Sequence, residues 1–238
     1  MTPRYIPPMG WGGTLMAFGA PGIVLYVTTR VAIPSVTQTL GLPPVVWFMT
    51  FGAFYVLAPL LVIALMRLRG EALEDVAVWR DRLRFRPLNG SDWKFALAAF
   101  GGAALCSYAL FSSFRAMGVM EIGPSFLANS GEQALSSRDL LIAWGAFGAL
   151  SVTAQEILWR GVYLPRQEQA LSSEAWLANA VGWFLFLLPL GWHLVLILLP
   201  IIVAVPYVAQ KRDSSSAGAL LHALAFTIAL VGYQMILG

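Results

Sequence analysis

The chain is 238 residues long, 58% hydrophobic and 11% charged, with a mean hydropathy of +0.72 and a net charge of +3. Soluble domains carry roughly 25% charged residues, so this composition cannot clothe a water-facing surface and excludes an ordinary soluble fold. The small basic excess needs no nucleic acid to explain it, because no base-stacking aromatics interleave with a basic groove.

Charge is absent over long stretches. No Asp, Glu, Lys or Arg occurs in Tyr5–Thr29, Val31–Met66, Phe95–Phe114, Leu140–Gln155 or Ala175–Gln210, and Asp213 is the last charged side chain. About 20 apolar helical residues cross a bilayer core, so each run reaches across or nearly so, and two suffice for more than one crossing. Alternation at period two is missing, which argues against a transmembrane barrel. Backbone groups in hydrocarbon must then bond internally, as helices. The expected fold is all-α: a polytopic transmembrane bundle of about seven spans forming a single integral membrane domain over residues 1–238.

Taken in order, the first span is expected at Trp11–Ala32. Met1–Pro8 is short and proline-rich and lacks the pattern of a cleavable leader, so the run is read as retained. The second span is expected at Pro44–Met66. Residues 71–86 form the one substantial polar stretch. There Leu73, Val76, Trp79 and Leu83 recur at roughly helical spacing among Arg and Asp, which predicts an amphipathic helix on the cytoplasmic face. The third span follows at Trp93–Arg115 and contains the single cysteine, Cys106, which excludes a disulfide framework. The remaining spans are expected at Arg138–Tyr163, Glu174–Gly191, His193–Ala209 and Ser214–Leu237. Only Gly191, Trp192 and His193 mark the break between the fifth and the sixth, so residues 174–209 read as either one long helix or two.

Basic residues suggest the orientation. Arg67, Arg69, Arg80, Arg82, Arg84, Arg86 and Lys94 lie between the second and third spans, and Arg166, Lys211 and Arg212 fall at ends on the same side. Arg30, Arg115 and Arg138 lie opposite. The excess of basic loops faces the cytoplasm, which places the N-terminus there.

Ionisable groups within a span cost roughly 2.5–3.5 kcal/mol on insertion scales and tend to mark function. Four stand out here: Glu156 and Arg160 toward the end of the fourth span, His193 at the junction of the fifth and sixth, and His222 in the seventh, the two histidines being the only ones in the chain. Glu156 and Arg160 are four residues apart with Glu first, the better order for a helical ion pair. Their plainest role is mutual neutralisation, and a lone intramembrane His is more often an interhelical hydrogen bonder than a catalyst. Two His and one Glu could also serve as zinc ligands, but the HExxH helix spacing is absent.

The stretch Gln155-Glu156-Ile157-Leu158-Trp159-Arg160-Gly161 resembles the EExxxR motif of the CPBP family, the CAAX proteases and bacteriocin-processing proteins. Pro189 to His193 resembles the family's FxxxH, and His222 to Phe226 its HxxxN. The resemblance runs from about Arg138 to the C-terminus, so residues 138–238 would form a CPBP-like core. It implies a metal-independent intramembrane glutamate protease without cofactors, in the bacterial inner membrane. Catalysis would use Glu156, Arg160, His193 and His222.

The departures from the family pattern matter. Gln155 stands at the first Glu of the motif, Phe226 at the Asn, and Pro189 at the Phe. A glutamine amide is not basic and a phenyl ring donates no hydrogen bond. Either natural drift or a deliberate isosteric exchange would leave a Gln at 155. Two readings follow. One is an intramembrane endopeptidase with Glu156 as base, a water held between Glu156 and His193, and His222 facing the oxyanion. The other is a non-catalytic relative that binds a peptide, a lipid or a partner span, as an assembly factor, immunity protein or complex subunit does. The water-sharing arrangement requires the fifth span to start late, near Val181, with residues 165–180 at the interface.

Overall fold

The computed structural model describes residues 7–68, 70, 75–119 and 138–237. The described residues are helical, with no strand among them. Helix α1 (Trp11–Val27) continues through a π turn (Thr28–Ala32) into α2 (Ile33–Leu40). Then come α3 (Pro44–Leu68), the short α4 (Val76–Asp81), α5 (Gly90–Ala116) and α6 (Arg138–Gln155). A π segment (Glu156–Tyr163) carries α6 into α7 (Leu164–Leu171), followed by α8 (Ala175–Leu187), α9 (Trp192–Lys211) and α10 (Ser215–Leu237). Among the described residues, 5 helical runs are long and apolar enough to cross a membrane. One of these, Ile142–Leu190, is 49 residues long. Straight, it would reach about 74 Å at 1.5 Å per residue, far beyond a core of about 30 Å. It folds back at Ser172, whose φ of 49° breaks the helix before α8. The protein is an all-α integral membrane bundle.

Several boundaries differ from the sequence expectation. The first span runs on past Ala32 to Leu40. Residues 174–209 form two helices: Gly191, at φ 132° and ψ 128°, turns the chain in a conformation that a β-carbon would strain. Helix α8 begins at Ala175, not near Val181. Among its described residues the amphipathic segment is helical over Val76–Asp81, where Asp75 accepts from the Ala77 amide at 2.8 Å. Residues 71–74 and Arg69 lie outside the described residues.

Both π turns precede a proline. Thr28–Ala32 ends two residues before Pro34, and Glu156–Tyr163 ends two residues before Pro165. A proline within a helix has no N–H to give and its ring presses on the carbonyl four residues back. Those carbonyls belong to Arg30 and Gly161, inside the π turns. Widening the turn moves them away and lets the helix continue, at the cost of a geometry that is frequent at functional sites.

Packing is led by α1 on α8, α5 on α9, α8 on α9, α9 on α10 and α3 on α6. The core holds Phe18, Trp159, Trp183, Phe186, Ile202, Val205 and Leu221. Without a hydrophobic drive between helices in lipid, association rests on close packing and interhelical hydrogen bonds. Helices α6 and α10 show the first. A β-carbon on Gly148 would lie 1.8 Å from Phe226 Cζ, so the ring fits only because Gly148 has none.

One end of the bundle is bound by a polar network. Asp92, fully buried, accepts from Arg86 at 2.7 Å and from Arg212 Nε at 2.8 Å, and completes a capping box with Asn89. Arg86 also donates to the Arg212 carbonyl at 2.8 Å. Its hydrogen bond to the Asp92 carboxylate holds the Arg86 guanidinium above its usual range. Burial works to lower Arg84, but its hydrogen bonds to Glu168 and the nearby Asp213 outweigh it and raise the group. The loop after α4 is stitched on by Ser215, which donates from Oγ to the Leu83 carbonyl at 2.7 Å and from its amide to the Arg84 carbonyl at 3.0 Å. The start of α1 joins the same face, since the Met9 amide donates to the Arg166 carbonyl at 2.8 Å. Arg84, Arg86, Arg166 and Arg212 thus share one end of the bundle.

Candidate functional site

Glu156 opens the π segment and is fully buried. Its Oε1 lies 2.8 Å from His222 Nδ1 and 3.3 Å from Arg160 Nη1. A carboxylate only accepts hydrogen bonds, so an ionised Glu156 requires the proton on Nδ1 and leaves Nε2 as the open nitrogen of the ring. Oε2 has no hydrogen-bond partner among the described residues. It lies 3.3 Å from where a β-carbon on Gly218 would stand. The site therefore nests against the start of α10, where Gly218 leaves the room.

Arg160 is also fully buried. Its guanidinium carbon stands 4.1 Å from the centre of the Trp183 ring and 5.5 Å from that of Trp159. Cation–π attraction reaches about 2 kcal/mol or more when desolvated, which helps offset burial of a charge whose nitrogens make no hydrogen bond to a described residue. Trp183 also meets His222 edge to face, at 4.7 Å between centroids. One tryptophan of α8 thus lies against both partners of the carboxylate.

The π segment is anchored from behind. Asn179 donates to the Trp159 carbonyl at 3.0 Å and to Gln167 Oε1 at 2.8 Å, and Gln167 donates to Thr14 Oγ1 at 2.8 Å. All three side chains are buried. This chain ties α8, α7 and α1 to the turn carrying Glu156 and Arg160, so the pair is held by hydrogen bonds whose alternative is an unpaired polar group in apolar surroundings.

The residues expected from sequence fall in three places. Glu156, Arg160 and His222 come together. Gln155, half-buried, is the last residue of α6 beside them, and Phe226 lies one turn beyond His222 with its ring over Gly148. His193 is not brought to Glu156. It stands in the first turn of α9, its ring 3.5 Å from that of Trp192 and 5.3 Å from that of Phe114. Gly218, beside Glu156, faces Val205 and Ala209 near the other end of α9. Twelve residues from His193 to Val205 make about 18 Å of helix rise, too far for one water to bridge.

Trp183, Trp159, Asn179 and Gln167 were not marked by the sequence as site residues. Asn179 carries the one usable signal, an amide inside the otherwise apolar Ala175–Leu187. The two tryptophans carry none, because aromatic residues are common in apolar helices. Among the described residues no group of three or more His, Cys, Asp or Glu comes together.

Glu156, Arg160 and His222 thus form one largely buried polar cluster, drawn from two helices of an apolar bundle. Residues 137–228 match the family model of the type II CAAX prenyl endopeptidases, Rce1-like, and this part of the chain is accordingly CPBP-like. No curated protein and no solved structure matches the chain.

Proposed function

We propose that this CPBP-like membrane protein uses its polar centre to hold helices together and to support binding of a membrane partner, and does not hydrolyse peptide bonds. The observation that carries this reading is the condition of Glu156: the carboxylate is buried, and one oxygen is shared by His222 and Arg160. The positions where the family has its base and an oxyanion donor hold Gln155 and Phe226. Losing one oxyanion donor typically costs about 3–4 kcal/mol of transition-state stabilisation, and general-base loss adds to it. His193, at the far end of α9, supplies no water-activating partner. A shallow apolar groove of about 420 Å³ lies apart from this centre, between α5 and α9, lined by Gly102, Ala103 and Ala204.

The basic end of the bundle is read as cytoplasmic by the excess of arginine there. This puts the N-terminus in the cytoplasm, with the bacterial inner membrane as the setting implied by family resemblance. The surrounding partner is the lipid bilayer. The α4 segment lies at the cytoplasmic interface.

A second reading, an endopeptidase, is favoured by one observation. The Glu156–His222 pair at 2.8 Å is a carboxylate–imidazole couple, and Glu156 Oε2 has no protein partner among the described residues. Cleavage of a prenylated CAAX peptide in liposomes separates the two. The binding reading expects no turnover by the unaltered protein and co-purification of a stoichiometric membrane partner. Turnover that disappears in Glu156→Gln overturns it and establishes the peptidase.

A further inference from the structure

A second bilayer-facing groove lies away from the polar cluster, between α1 and the end of α8. Its volume is about 380 Å³. Gly19, Gly22 and Ile23 form one wall, and Leu188 and Pro189 belong to the other. At Gly22 the helices nearly touch, since a β-carbon there would be 3.3 Å from Phe186 Cα. This close approach makes the floor. Ile23 and Tyr26 are exposed along the opening.

The groove ends at Arg30, the single charged residue in its lining. Arg30 is also the only charge between Tyr5 and Met66. It is exposed, and among the described residues no carboxylate pairs with it. Trp11, at the start of α1, lies near the basic end. Nineteen residues of helix separate it from Arg30, about 28 Å, close to the thickness of the hydrocarbon core. Arg30 therefore stands at the opposite headgroup level. Tyr26 lies one turn inside it, as interfacial aromatics do. From Gly19 to Arg30 the groove offers about 16 Å of helix length, an apolar slot capped by a guanidinium.

We infer that this groove binds one anionic phospholipid, with an acyl chain along Gly19 and Gly22 and the phosphate on Arg30. A guanidinium that pairs with no carboxylate among the described residues matches a phosphodiester's geometry and charge. A neutral phospholipid fills the slot equally well but adds a choline cation beside Arg30.

Native mass spectrometry of the delipidated full-length protein tests this, with phosphatidylglycerol or phosphatidylcholine of identical acyl chains as probes. Tighter binding of phosphatidylglycerol by about fivefold is expected, the size of one basic contact at a membrane surface. Arg30→Gln should bring the two lipids level, and Arg30→Lys should keep the preference. A β-carbon on Gly19 meets nothing within 4 Å, so Gly19→Phe should project into the slot and lower binding of both lipids with no change in melting temperature. Equal binding of the two lipids by the unaltered protein overturns the inference. So does a phosphatidylglycerol preference that survives Arg30→Gln, which would assign it to the basic end of the bundle.

Discussion

His222 Nδ1 meets Glu156 Oε1 at 2.8 Å across 66 residues of chain, joining α10 to the π segment inside the bundle. The contact makes the two residues one unit. Removing either leaves the other buried with less compensation, so their effects on stability should not add. A double-mutant cycle with Glu156→Gln and His222→Ala, read by unfolding in detergent, should show a coupling of about 1–3 kcal/mol. Additivity within about 0.5 kcal/mol would mean that the contact contributes nothing to the fold.

Trp183 faces both Arg160 and His222. Trp183→Ala removes a large buried ring and uncovers the guanidinium. Loss of about 3–5 kcal/mol is expected for such a truncation. Trp183→Phe keeps a π face over Arg160 and should recover more than half of that loss. A Phe variant as unstable as the Ala variant would show that a π face over Arg160 does not set the stability.

Gly148 and Phe226 interlock α6 with α10. Gly148→Ala puts a methyl into the ring and should cost about 1–3 kcal/mol, the usual size for overpacking. Combining it with Phe226→Leu should relieve the clash, so that the double variant is more stable than Gly148→Ala alone. Melting temperatures of the four proteins decide this, and a double variant less stable than both singles would refute the interlock.

Asp92 gathers Arg86 and Arg212 and caps α5. Asp92→Ala leaves two arginines facing each other at the basic end. The expected cost is about 3 kcal/mol, as for a broken buried pair. Asp92→Asn keeps the cap but loses the charge, and should fall between. Hydrogen exchange at the α9–α10 turn should rise in Asp92→Ala, whereas unchanged protection there would place the network outside the folding unit.

Hydropathy sufficed to read the bundle, because crossing lipid demands runs of apolar helix, and those runs carry their own signal residue by residue. The spans at Pro44, Trp192 and Ser215 start within a residue of where composition puts them. The i, i+4 spacing of Glu156 and Arg160 was legible for the same reason, although the turn that holds them is a π segment. A proline's effect on a carbonyl four residues back depends on how the helix can yield, which its neighbours decide.

The two histidines were equivalent as letters in apolar runs. Only the path of α9 separates them, since a helix that enters at His193 and reaches the polar end at Lys211 carries its first turn away from Glu156, while α10, starting at that end, delivers His222 within two turns. The same holds for Trp183, whose ring matters because α8 lies against the π segment. Local sequence determined which segments lie in lipid and which rare polar groups go with them. Tertiary packing decided which of those groups meet, because a contact over 66 residues depends on the direction and register of helices that no local pattern encodes.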